Sequence, residues 1–321
     1  MSDRTKIEWA DATLNNVIGC TPVSSGCDHC YARRTAHRMQ ANPNPAVVAP
    51  YAGTEADGEW TGRVNLVPER LAQVFGWAKP RRIFVAAQSD LFHKQVPDEF
   101  IAATFAVTAA TPRHTYLILT KRAGRMRALL SDKQFRRAVL QEAASRYGAS
   151  GLDWPLPNVV VGVSAETQHW VNVRLPVLLD TPAASRFVSI EPCLGPISLY
   201  DNTRIDREDA QLDWVIVGGE SGPNARPMHP AWVRRLRDEC QPAARYDGSS
   251  VAFCFKQWGQ WVPAPADDPS PADRIVFADG SGSVEVAAAT ANDPRGAVMR
   301  RVGKRAAGRE LDGIIWDGFP S

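Results

Sequence analysis

The sequence predicts an α/β protein with a parallel sheet, in the form of a partial or full (β/α) TIM-like barrel or of a doubly wound sheet. Three observations carry this. About seven short apolar runs recur along the chain, most of them separated by helical stretches, the pattern of repeated βα units. Residues 81–87, the clearest run, are continuously apolar at the core, as in a strand buried on both faces. Polar residues gather directly after the runs, and a barrel builds its site at the C-terminal ends of its strands.

Taken in order, residues 1–13 are a lead-in that packs by Trp9, and residues 14–19 are the first strand. That strand ends in a loop holding three of the six cysteines within eleven residues, Cys20, Cys27 and Cys30, spaced C-x6-C-x2-C. Gly19, Pro22 and Gly26 make it a turning segment rather than a helix or strand. Residues 30–40 are helical, with Arg33, Arg34, His37 and Arg38 as a basic face that serves either solvation or phosphate binding. Residues 41–63 are rich in Pro, Gly and Ala without a period and read as a long excursion or lid. A helix is expected over 65–78, a strand over 81–87, and a helix over 98–110 behind Pro97. Further strands are expected over 115–119, 159–163, 186–190, 214–217 and 251–255. Helices are expected up to about Tyr147 and over 170–179 and 230–240. Residues 263–293 show little core pattern and read as loop or a small hairpin. The expected organisation is a barrel domain over 1–262 and a C-terminal extension over 263–321 that packs on it.

Three thiolates with no obvious fourth suit a metal centre that keeps one coordination position open. A [4Fe–4S] cluster with three protein-ligated irons meets that description, and a zinc site would draw a fourth ligand from His29 or a distant cysteine. Six cysteines in 321 residues do not make a disulfide scaffold, and a tight cluster in a reducing compartment reads as metal binding. Cys193, Cys240 and Cys254 are scattered and expected in the core. The strand ends supply Asp90, Lys121, Arg122, Glu166, Glu191, Glu220, Lys256 and Gln257, some of which are expected to be plain salt bridges. Gly218-Gly219 suits either a phosphate cradle or a tight turn. Trp258 and Trp261 suit base stacking or, more simply, a cap on the barrel. His93 and His114 read as structural histidines.

A net charge of +2 permits a nucleic-acid partner without demanding one. Arg300, Arg301, Lys304, Arg305 and Arg309 form a basic run that is either solvated, pinned by ion pairs, or set to grip a phosphate backbone. No 18-residue apolar run and no N-terminal signal pattern is present, so the expectation is a soluble cytoplasmic protein with no membrane partner.

A three-cysteine loop after a first strand, followed by βα repeats, resembles the radical SAM enzymes, whose usual spacing is C-x3-C-x2-C. The chain resembles more closely a phage and bacterial family of unknown function. The matching motifs include Lys6-Ile7-Glu8-Trp9, Ser25-Gly26-Cys27-Asp28-His29-Cys30-Tyr31, Ser89-Asp90-Leu91-Phe92-His93, Leu119-Thr120-Lys121-Arg122, Gly162-Val163-Ser164-Ala165-Glu166 and Ser189-Ile190-Glu191-Pro192. Gly218-Gly219-Glu220-Ser221-Gly222 with Ala225-Arg226-Pro227, Lys256-Gln257-Trp258-Gly259 and the tail segment 303–313 complete them. The resemblance implies a barrel of the radical SAM type and cleavage of S-adenosylmethionine to a 5′-deoxyadenosyl radical at a [4Fe–4S] cluster. It implies Cys20, Cys27 and Cys30 as cluster ligands and an external one-electron reductant. Ser89 and Asp90 would meet the amino group of S-adenosylmethionine, Lys121 or Arg122 its carboxylate, and His29 would lie near the adenine. Ser164 joins the cofactor contacts, and Lys121, Glu166, Glu191, Glu220 and Lys256 are the candidate catalytic residues. The superfamily's Gly-Gly-Glu motif follows the second strand, whereas Gly218-Gly219-Glu220 comes much later. The substrate class considered is DNA, RNA, a nucleotide or another metabolite. Two other readings stand beside this one: a zinc- or cluster-stabilised nucleic-acid-binding protein, and a degenerate barrel that serves as a partner protein.

Overall fold

The computed structural model describes residues 4–199, 211–241, 250–286 and 296–320. The chain forms two compact units. The first holds Met1–Ser24, Cys30–Val163 and Asp180–Arg186, and the second Ser25–His29, Ser164–Leu179 and Phe187–Ser321.

The first unit opens with β1 (Ala12–Leu14) and β2 (Val17–Ile18), so the expected strand over 14–19 is split in two. Asn15 and Asn16 are the cause: their buried amides bond Thr13 Oγ1 and Thr104 Oγ1 and interrupt the ladder. After the cysteine loop come α1 (Tyr31–Gln40), α2 (Pro45–Val48), β3 (Glu55–Ala56), β4 (Glu59–Trp60) and β5 (Asn65–Leu66), which pairs antiparallel with β2. The expected helix over 65–78 is thus a strand followed by a 3-10 run over Pro68–Gly76. Val67 precedes Pro68 and is held out of the helical region, with ψ at 69°, which sets that boundary. The stretch expected as a lid is packed down: Tyr51 joins Ile18, Ala36 and Val67 in a small core, with Met39 and Trp60 against it. The basic face of α1 is turned to this excursion, where Arg33 pairs with Glu59 and His37 with Glu55.

The unit continues as β6 (Arg82–Val85), α3 (Asp98–Ala109), β7 (Thr115–Thr120), α4 (Ala123–Ser131), α5 (Lys133–Tyr147) and β8 (Val159–Ser164). Strands β1, β6, β7 and β8 pair in parallel, and Ile83, Val85, Leu117, Ile118, Val161 and Val163 are buried. Asp132 caps α5 by accepting from Gln134 and Phe135 N–H, and Gly148 closes it in the left-handed conformation.

The second unit holds α6 (Gln168–Leu179), β9 (Ser185–Ile190), β10 (Trp214–Gly218), α7 (Pro230–Glu239) and β11 (Ala252–Gln257), with β9, β10 and β11 parallel. The order β1-β6-β7-β8-β9-β10-β11 makes one seven-stranded sheet. Strands that follow in chain order without reversal belong to a partial TIM-like barrel and not to a doubly wound sheet, whose order turns back at a switch point. Then come β12 (Trp261–Pro263), β13 (Arg274–Phe277), β14 (Ser283–Glu285) and β15 (Gly296–Arg301), an antiparallel sheet in the order β12-β15-β13-β14. The stretch over 263–293 that read as loop or hairpin is therefore part of a four-stranded sheet, except for residues 287–293, which lie outside the described residues. The expected small hairpin is present as β13–β14 across Asp279-Gly280-Ser281-Gly282, and the pairing of β13 with β15, far along the chain, is what no local signal announces. A short α8 (Lys304–Ala307) and the hairpin of β16 (Glu310–Leu311) and β17 (Ile314–Ile315) end the chain.

Candidate metal and cofactor site

In the first unit the cysteine loop starts from a glycine in the positive-φ region. Gly19 has φ at 96° and bridges to Ser89, and a Cβ there would lie 2.2 Å from the Arg63 carbonyl oxygen. Glycine alone fits, and the chain can turn straight into Cys20. Arg122, at the end of β7, holds the next two residues. Its Nη2 donates to the Thr21 carbonyl at 3.1 Å and to Thr21 Oγ1 at 2.9 Å. Its Nη1 donates to Asp90 at 2.8 Å and to the Cys20 sulfur at 3.7 Å.

Asp90 is 4% exposed and its carboxylate is filled from inside. Oδ1 accepts from Phe92 N and Thr120 Oγ1, and Oδ2 from Lys121 N and Arg122. His93 accepts from Gln95 N at Nδ1, so its Nε2 carries the proton and donates to Thr21 Oγ1 at 3.0 Å. Burial, and then the charge of Arg122, push His93 down to about 4, which keeps this donor neutral. Lys121 reaches Ser24 Oγ at 3.1 Å, and Ser89 Oγ donates to the Val17 carbonyl at 2.8 Å. Burial pushes the Cys20 thiol up to about 12, with Arg122 pulling the other way. Cys30 is the residue at the N-terminal cap of α1.

In the second unit the middle of the loop, Ser25–His29, is held by the other strand ends. Gly26 N donates to Glu166 Oε1 at 3.2 Å, and the buried Arg174 binds the other oxygen at 3.4 Å and the Ser164 carbonyl at 2.7 Å. Arg174 is fixed in turn over the Trp170 ring, 3.9 Å from its centre. Glu220 accepts from His29 Nδ1 at 3.0 Å and from Arg226, whose backbone N and Nε reach Oε2 and whose Nη2 reaches Oε1 at 2.6 Å. Burial pushes Glu220 up, but the bonds from Arg226 and His29 outweigh it and hold the carboxyl below its usual range. Arg226 also donates to the Ser25 carbonyl and to Asp28.

A separate pair at the strand ends of the same unit is Glu191 with Lys256, 2.8 Å apart, where Ser189 also donates to Glu191. Gly218 faces it: a Cβ there would lie 2.7 Å from Glu191 Oε1. At Gly219 a Cβ would lie 2.0 Å from the Trp258 carbonyl oxygen, so Gly219 answers to close approach of backbone and Gly218 to the Glu191 side chain. Gln257 donates to Ser221 Oγ, and the indole N–H groups of Trp258 and Trp261 are spent on the carbonyls of Glu310 and Ala225. Both tryptophans are buried. Cys193, Cys240 and Cys254 are buried, as expected.

The structure brings Cys20, Asp90, Lys121 and Arg122 together in the first unit, and His29, Glu166 and Glu220 around Ser25–His29 in the second. Thr21, His93, Arg174 and Arg226 are the participants that strand-end reasoning did not nominate. Arg226 stood in a motif without a role, and an arginine six residues after Glu220 was the available signal. In the basic run, Arg300 pairs with the buried Asp273, Arg301 donates to the Gly222 and Pro223 carbonyls, and Arg309 pairs with Asp317. A groove of about 820 Å³ lined by Leu71, Phe75, Phe100 and Tyr147 holds none of the nominated residues.

The chemistry of the donor set bears on what the loop can hold. All three loop cysteines are free and partly buried. Among the described residues, no group of three His, Cys, Asp or Glu side chains is placed to hold a metal ion. A single zinc needs its ligands converged on one atom at about 2.3 Å. A cubane takes each thiolate at a different iron and so needs three sulfurs spread around it, which a loop of this length can supply.

A family model described as a protein of unknown function (DUF5131) matches residues 4–320. No curated protein and no solved structure matches the chain.

Proposed function

We propose, for a chain that belongs to the DUF5131 family, a radical SAM-type activity in which Cys20, Cys27 and Cys30 hold a [4Fe–4S] cluster that binds S-adenosylmethionine. The observation that carries the reading is how the loop is braced. Hydrogen bonds from strand-end groups fall on Thr21, Ser24, Gly26 and His29, and none of the three cysteines is tied up in a disulfide. A loop fixed at its intervening residues presents its cysteines with little entropy left to lose on binding.

With the cluster and S-adenosylmethionine bound, the chemistry supplied is one-electron cleavage of a sulfonium, fed by an external reductant. The protein's part is positioning. Asp90 and Glu166 are committed to the brace, and so act through the loop. Glu220 fixes the imidazole of His29 with Nδ1 as its donor and Nε2 turned away from the carboxylate. The Glu191–Lys256 pair, 2.8 Å apart at the strand ends, is assigned to the substrate side. A nucleic-acid substrate gains no support from the basic tail, whose Arg300, Arg301 and Arg309 are bound internally.

The test is anaerobic reconstitution with iron and sulfide, reduction in the presence of S-adenosylmethionine, and assay for 5′-deoxyadenosine. The expected result is a brown protein that forms the nucleoside, and a Cys27→Ala variant that does not. A colourless protein carrying one zinc and inert toward S-adenosylmethionine overturns the proposal in favour of a zinc-stabilised binding protein.

A further inference from the structure

We infer that Arg122 sets the reduction potential of the cluster, through a charged N–H···S hydrogen bond to the sulfur of Cys20; this rests on the cluster reading above. The sequence offers Arg122 as a ligand for a substrate carboxylate. The geometry gives its fork another task. Nη1 lies 3.7 Å from Cys20 Sγ, a hydrogen-bond distance for sulfur, and the remaining donors are held by Asp90 Oδ2, the Thr21 carbonyl and Thr21 Oγ1 at 2.8, 3.1 and 2.9 Å. Three oxygen acceptors fix the plane of the guanidinium, and its side chain is only 15% exposed. The donor cannot swing away from the sulfur without giving up those bonds.

Hydrogen bonds to ligand sulfurs are among the factors that set the potential of an iron–sulfur cluster. One electron taken from an external reductant adds negative charge, part of it on the ligand sulfurs. A permanent cation and donor at one of them favours the reduced form, and Arg does not lose its proton to cancel the effect. Asp90 offsets part of the charge but leaves the contact with sulfur in place, because it binds the same Nη1 from its own side-chain oxygen. Low exposure keeps solvent from screening the interaction. Arg122 is therefore a positioning residue that acts on the cluster through Cys20.

The test is a dithionite titration of the reconstituted protein, following the visible absorbance and the reduced-state EPR signal. Wild type is compared with Arg122→Gln and Arg122→Lys, each with iron and sulfide counted. The expected result is a more negative midpoint in Arg122→Gln at full cluster content, and a smaller shift in the same direction in Arg122→Lys, which keeps the charge and loses the fork. If the variants load fully and keep the wild-type midpoint, the inference is overturned and the cluster reading stands. If both variants fail to load where wild type loads, the inference is also overturned, and Arg122 is an assembly residue. If wild type takes up no cluster, the cluster reading falls and the inference falls with it.

Discussion

Asp90 and His93 show how much of the chemistry near the cysteines is spent on holding them. The Asp90 carboxylate has about four lone-pair sites, and Phe92, Thr120, Lys121 and Arg122 use them. An amide in its place would turn an NH2 group toward donors. Asp90→Asn is expected to cost about 3 kcal/mol of stability, read by denaturant unfolding, since it leaves the Arg122 charge without its partner. His93 gives a pH signature. Its folded value is about 4 against an ordinary 6.5, so the folded state resists a proton that the unfolded chain accepts. Its contribution to stability is complete above pH 6.5 and is lost as pH falls toward 4. Thermal unfolding of wild type should decline over that window, and His93→Gln, which can still bond Thr21, should flatten the decline. The sequence marks both residues, Asp90 as a strand-end carboxylate and His93 as a structural histidine. It cannot say that the carboxylate is already filled, because Thr120 and Arg122, which fill it, lie thirty and thirty-two residues away.

The core strands are legible because burial on both faces writes them as apolar runs. Trp214–Gly218 and Val159–Ser164 are buried at every position, and every expected run from 81–87 onward lies within a residue or two of the strand observed. Elements made by pairing between distant segments are not legible in that way. β2 depends on β5, and β12 on β15, more than thirty residues away, so neither has a local signature. Glycines at strand ends are ambiguous for a related reason, as Gly219 shows. The dipeptide suits a phosphate cradle, and the structure shows backbone packed against it. Gly219→Ala should destabilise the protein by roughly 3 kcal/mol, with an unchanged denaturant slope, because the Trp258 carbonyl cannot yield as a flexible side chain would.

For the molecule as a whole, the order of seven parallel strands follows the order of the chain, and this part of the sequence reading is the firmest. Repeated βα units dictate it without any knowledge of the site. No helix among the described residues is long and apolar enough to cross a membrane. What composition left open was the use of charge. A net charge of +2 hides a high density of internal pairs, and the basic tail is mostly consumed in them. If the loop binds a cluster, folding and loading are linked: the reconstituted protein should melt at a higher temperature than the chelated one, by an increment that grows with ligand affinity. The Cys27→Ala variant should lose most of that increment.

The small core of Ile18, Ala36, Tyr51 and Val67 limits how the chain can be shortened. Surface excursions generally tolerate trimming, since loop length enters stability only weakly. Residues 41–63 look like such an excursion, yet Tyr51 and Trp60 cover the residue two places before Cys20, and the Arg63 carbonyl backs directly onto Gly19. Cutting this segment out would strip the wall from the start of the cysteine loop, so a minimised version of this protein has to keep it and save length elsewhere.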